Sequence, residues 1–88
     1  MQQTVGIEPV ILGTTAFGGT GGAVGVSRPI IQNLGPGDLY LDFSSAVAIG
    51  SGVKLIPNER LEFGGRLAQA LYVVASQAAT DVRFIDAG

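Results

Sequence analysis

The sequence predicts an all-β protein: a small antiparallel β-sandwich or barrel carrying a Gly-rich N-terminal arm. Three observations lead there. Turn signals recur every eight to twelve residues beyond residue 27, the spacing of short strands in a sandwich or barrel. Between them, apolar and polar residues alternate with the period of two expected of a half-buried strand. The stretch IQNLGPGDLYLDF, residues 31–43, sets two such segments on either side of a Gly-Pro-Gly turn, which reads as a hairpin.

Charge divides the chain into two zones, 1–27 and 28–88. The first holds one charged side chain, Glu8, and the glycine-rich run AFGGTGGAVGV. Residues 4–12 read as one short strand, with Pro9 favouring a sheet edge. Residues 13–25 then read as an extended arm. Phe17, Val24 and Val26 set it apart from a polar Gly-Ser linker and suit it to lying along a neighbouring chain, an ordinary loop and a short membrane contact being the other readings of the same residues.

The second zone reads as the β-module. Residues 29–34 form its first strand. Pro36 pre-sets φ for a turn in which Gly37 would take the positive φ of a type II geometry. Leu39, Leu41 and Phe43 alternate with Tyr40 and Asp42, so the first three share a face. Residues 44–52 are small and loosely patterned, a loop with room for a brief strand. Residues 53–56 and 60–63 form the arms of a second hairpin about Pro57-Asn58, with Leu61 and Phe63 inward and Arg60 and Glu62 toward solvent. Residues 67–76 have alanines and a leucine spacing compatible with a helix, but Leu71-Tyr72-Val73-Val74 is rich in strand formers, and a strand over 70–75 is expected. Residues 77–80 turn into a final strand over 81–86, closing a C-terminal hairpin.

Composition narrows the function. A chain of 88 residues forms one small domain and buries only about 60% of the surface it exposes unfolded. Cysteine and histidine are both absent, so neither disulfides nor an ordinary zinc site supplements that core. Partners are the remaining supplement. Charged residues make up 14%, against a usual share of about 25%, which leaves apolar surface for another chain to cover. Five dispersed basic residues and a net charge of −2 do not make a nucleic-acid footprint. No apolar run approaches the roughly 20 residues of a membrane-spanning helix, and residues 1–4 lack the basic start of a secretory signal.

No reaction is legible. A serine or threonine nucleophile would lack a histidine base, and the GGTGG run lacks the Lys-Ser/Thr of a phosphate loop. Asp38, Asp42, Glu59 and Glu62 read as strand or turn carboxylates, because no aromatic cluster accompanies them as a sugar cleft would require. Asp38, Asp81 and Asp86 are too dispersed for a calcium loop. Neither a cofactor nor a metal is expected. Arginines are the more informative side chains, because their guanidinium forks favour interfaces. The candidate interface residues are Phe17, Val24 and Val26 in the arm, Arg28 at its junction with the module, Tyr40 and Arg66.

Taken in order, NLGPGDLYL, a small-residue loop, GVKLIPNERLEF and ALYVVASQAATDVRFIDAG resemble small structural proteins of tailed-bacteriophage virions. The match spans residues 32–86, about 60% of the chain, and leaves the Gly-rich zone outside. Asn58 stands where glycine is more usual, a position its tolerance of the left-handed region allows. The resemblance implies a β-sandwich that decorates or cements the capsid, with the major capsid protein or other virion subunits as partners. Self-association as a trimer or ring, and a virion location after assembly in the host cytoplasm, are implied with it. Two other roles fit the same residues: a tail, connector or fibre-base component, and a carbohydrate-binding module with an aromatic platform at Tyr40 or Tyr72.

Overall fold

A computed structural model describes residues 2–13 and 26–88. Its strands are β1 (Gln2–Val5), β2 (Val10–Ile11), β3 (Pro29–Gly35), β4 (Leu39–Asp42), β5 (Val53–Leu55), β6 (Arg60–Glu62), β7 (Tyr72–Ala75) and β8 (Thr80–Asp86). They form two four-stranded sheets, β1-β8-β3-β6 and β2-β7-β4-β5, and every pairing is antiparallel. The protein is a β-sandwich, and the alternation that predicted the strands also predicts what they bury. Val5, Ile31, Val82 and Phe84 of the first sheet face Leu39, Leu41, Leu55, Val73 and Ala75 of the second. Val26, Leu67 and Leu71 join the same core from the connections.

The path of the chain between the sheets corrects the predicted hairpins. Among the described strands, six of the seven connections switch sheets, and only β4 and β5 are both consecutive and paired. The strands on either side of 35–37, of 57–58 and of 77–80 therefore face each other across the core instead of pairing. Alternation and turn residues cannot separate these cases. A strand that turns back beside its predecessor and one that arches over the core both need the same period-two pattern. The resulting order, two interleaved Greek keys in eight strands, is a jelly roll.

Four sheet-switching connections, β1–β2, β3–β4, β5–β6 and β7–β8, lie at one end of the sandwich, and Asn33 joins two of them, β3–β4 and β5–β6. Its side chain is 0% exposed. Its Nδ2 donates to the Gly37 carbonyl at 2.9 Å and to the Leu55 carbonyl at 2.8 Å, while Oδ1 accepts the Gly35 N–H at 2.8 Å. Its main chain accepts the Asn58 N–H at 2.6 Å and donates to the Glu59 carbonyl at 3.0 Å. Asn58 adopts φ +74°, the left-handed conformation expected of it. Thr80, also buried, accepts the Gly37 N–H at 3.2 Å and donates to the Gln77 carbonyl at 2.9 Å. Ser76 and Asp38 exchange two further bonds, each 2.9 Å.

The turn at 35–37 differs from the type II expectation. Gly35, not Gly37, takes the positive φ, +84°, and the Gly35–Pro36 peptide is cis. Gly37 is needed for room: a Cβ there would lie 2.7 Å from the Gln77 nitrogen and 2.8 Å from Thr80 Oγ1.

The expected single strand over 4–12 is two strands in different sheets, parted by Gly6 and Pro9. Pro9 has no N–H for a ladder. The Gly6 carbonyl instead accepts the Ala75 N–H at 2.9 Å, which carries the chain across to β7. Gln3 closes this side of the sandwich, accepting the Gly13 N–H at 2.7 Å and donating to the Ile11 carbonyl at 3.3 Å. Both described strands of the 1–27 zone are thus hydrogen-bonded into the sheets. Residues 43–52 contain turns and no strand, and the segment placed between helix and strand forms β7. Phe43, at the end of β4, leaves the face of Leu39 and Leu41 and is exposed, its ring 6.5 Å from that of Phe63.

Replacing Asn33 with leucine, close to it in size, strands a buried N–H and two buried carbonyls. At about 1 kcal/mol or more per group, the loss is on the order of 3 kcal/mol. Urea unfolding should show a lower midpoint with an unchanged slope. Gly37→Ala should cost about 1–3 kcal/mol through overpacking against residues 77 and 80. Equal stability of both variants with the parent would disprove the stitching role.

Candidate functional site

β3 and β8, seven residues each, are the central strands of the first sheet, and their alternation leaves one side chain in two on its outer face. Ile30, Gln32 and Leu34 project outward from β3, and Asp81, Arg83 and Ile85 from β8. Register sets Gln32 between Arg60 of β6 and Arg83 of β8, and Ile30 between Glu62 and Ile85. Together Ile30, Gln32, Leu34, Arg60, Arg83 and Ile85 line a shallow, open concavity of about 380 Å³. Leu34 is 38% exposed and Ile85 50% exposed, so aliphatic surface lies beside two guanidinium groups.

The charges on this face are neutralised within each strand. Arg83 holds Asp81 through two parallel 3.0 Å bonds, one from Nε and one from a terminal nitrogen. That fork lowers the Asp81 carboxyl below its ordinary range and raises the Arg83 guanidinium. Arg60 lies 3.6 Å from Glu62. Both pairs are exposed, so their contribution to stability is small. Their consequence is a face with mixed polarity and little net charge.

The outer face of the second sheet is different. Tyr40 lies opposite Lys54 and Val74, and Tyr72 opposite Asp42, so the two tyrosines share this face on adjacent strands. Both are half-buried. Val74 is buried here, as is Val47 in the β4–β5 connection, and neither belongs to the core between the sheets.

The predicted interface residues do not come together. Phe17 and Val24 lie outside the described residues. Val26 is buried in the core, and its carbonyl accepts the Leu67 N–H at 3.4 Å. Arg28 is exposed where the chain enters β3, Arg66 is exposed in the β6–β7 connection, and Tyr40 sits on the second sheet. The outer face of the first sheet was missed as a unit because β6, β3 and β8 are neighbours only in space. One signal was present: the segment PIIQNLG is apolar on both of its faces.

The carboxylates raised as catalytic candidates are occupied locally. Glu59 accepts the Ile56 N–H at 2.8 Å, Asp42 accepts the Phe43 N–H at 2.7 Å, and Asp38 lies 3.7 Å from Lys54. Among the described residues, no three histidine, cysteine or acidic side chains gather as a metal site. No protein-family model, curated protein or solved structure matches the chain.

Asp86 ties the entry of β3 to the end of β8, accepting N–H groups from Arg28 at 3.0 Å, Gly88 at 3.1 Å and Ser27 at 3.4 Å. These bonds, that from Arg28 foremost, lower its carboxyl below the ordinary carboxylate value. Asp81 and Asp86 therefore favour the folded state above their ordinary range, and that contribution disappears as pH falls through their lowered values. The thermal midpoint should fall as the pH drops below about 4, and Asp86→Asn should flatten part of that fall, with a smaller effect from Asp81→Asn because its pair is exposed. An acid profile unchanged by Asp86→Asn would contradict the assignment.

Proposed function

We propose that the chain is a non-enzymatic structural protein of a tailed-phage virion, which decorates or cements the capsid by bridging neighbouring capsid subunits. The observation that carries the reading is the outer face of the first sheet. It is shallow, neutralised pair by pair and aliphatic around Leu34 and Ile85, which suits a protein partner better than a small substrate. Further exposed apolar residues stand at both ends of the sandwich, Ile7 and Ile56 among the sheet-switching connections and Phe43 and Ile49 at the opposite end. A bridging subunit needs separated contacts of this kind. The jelly roll recurs in viral capsid proteins and also in lectins and cupins, so the fold adds an analogy and no more.

A carbohydrate-binding role draws on Tyr40 and Tyr72, which share a face of the second sheet. Their half-buried rings offer a poorer stacking surface than the open face of the first sheet offers a protein. A place in the tail, connector or fibre base would use the same surfaces at a far lower copy number.

The test is co-sedimentation of the full chain with undecorated shells of its phage, with counting of copies per particle. Capsid-scale occupancy is expected. Ile85→Asp should weaken it by about tenfold, because the aspartate would be buried against the shell, while leaving thermal unfolding unchanged. A handful of copies per particle would move the protein to the tail, and no binding to shells would overturn the proposal. Deleting residues 1–26 is not an equivalent test, because it removes β1 and β2 from their sheets.

A further inference from the structure

Among the described residues four strands stand at the sheet edges: β1 and β6 in the first sheet, β2 and β5 in the second. An edge strand presents unpaired N–H and C=O groups, and soluble proteins blunt such edges with charge, proline, brevity or cover. Three of these edges are blunted. β6 has three residues, with exposed Arg60 and Glu62. β5 has three residues, with exposed Lys54 at its centre. β2 has two residues and directly follows Pro9.

β1 is the exception. It is the longest of the four edges, four residues reading Gln-Gln-Thr-Val, with neither charge nor proline. It is also well anchored: Val5 is buried in the core and Gln3 is bonded to the Gly13 N–H and the Ile11 carbonyl. Gln2 and Thr4 are exposed on the outer face, joined by a 3.2 Å bond from Gln2 Nε2 to Thr4 Oγ1. Behind them Arg83 and Asp81, their partners on β8, neutralise each other. Among the described residues β1 pairs with β8 alone.

We propose that β1 is a pairing edge for the β1 of a second copy, joining two first sheets, four strands from each, across a two-fold axis. An axis normal to the sheet keeps both outer faces on one side, so opposed residues must share a face. Two registers meet that condition while pairing three residues of each β1, Gln3 opposite Gln3 with Gln2 opposite Thr4, or Thr4 opposite Thr4 with Gln3 opposite Val5. In neither do like charges meet. A second copy suits this edge because neutral residues are compatible with themselves and offer no charge pattern for a foreign strand to read. The small core gives association something to add. The inference stands apart from the virion reading, and a dimer would form with or without a capsid.

Sedimentation of the full chain over a concentration series tests it, and a monomer–dimer equilibrium is expected. Thr4→Lys places an edge lysine opposite Asp81 within the same molecule, so the fold should be kept. Dimer dissociation should become about tenfold more facile, from charge brought to the joined edges. The chain has no cysteine, so Gln2→Cys with Thr4→Cys supplies its sole thiols. Either register sets a position-4 thiol opposite one of them, and oxidation should yield a covalent dimer. A wild-type chain monomeric throughout the series overturns the proposal. So does a dimer that Thr4→Lys leaves intact and oxidation fails to link.

Discussion

The bonds of one buried amide hold the arrangement of this sandwich. Asn33 sits on the central strand of the first sheet, yet its side chain satisfies carbonyls at Gly37 and at Leu55, the latter in the second sheet. A chain that changes sheet at nearly every connection brings backbone groups without ladder partners to the ends where its strands cross over. Buried without partners, each would cost about 1–3 kcal/mol. Asn33, Thr80 and Ser76 supply those partners, and no buried side-chain nitrogen or oxygen among the described residues lacks one.

The two ends of the molecule are consequently built by different physics. At the end that holds Asn33, short connections are fixed by directional hydrogen bonds and by a glycine whose missing side chain lets two turns touch. At the opposite end, longer connections contribute Val26, Leu67 and Leu71 to the core, and Phe43 and Phe63 meet ring to ring. A stiff scaffold between them lets the outer faces be specialised independently. The first sheet presents aliphatic residues beside neutralised ion pairs, and the second presents tyrosines around a covered valine.

Much of this was legible in the residues, up to a definite limit. Alternation located β3, β4 and β8 within a residue or two, and it identified Leu61 and Phe63 as inward. Asn58 was rightly assigned a left-handed turn conformation. The limit is that period two describes one strand and says nothing of its neighbour. Gly-Pro-Gly marks a reversal of direction, whereas the decision between pairing and arching rests on Asn33 reaching Leu55, a contact 22 residues away. The same limit hid the outer face of the first sheet, whose residues come from β3, β6 and β8. Val26, read as a contact for a neighbouring chain, faces the interior because the chain re-enters the core just before β3.

The pairing of β1 with β8 has a kinetic side. Gln2 meets Arg83, so the first strand finds its partner at almost the largest sequence separation the chain allows. Closing so long a loop is entropically unfavourable, and topologies dominated by distant pairings fold slowly. Until β8 is laid beside β3, β1 has no sheet to be the edge of. Any process that reads that edge must therefore wait for β8 to be in place, which makes the outer side of β1 a report that folding is complete.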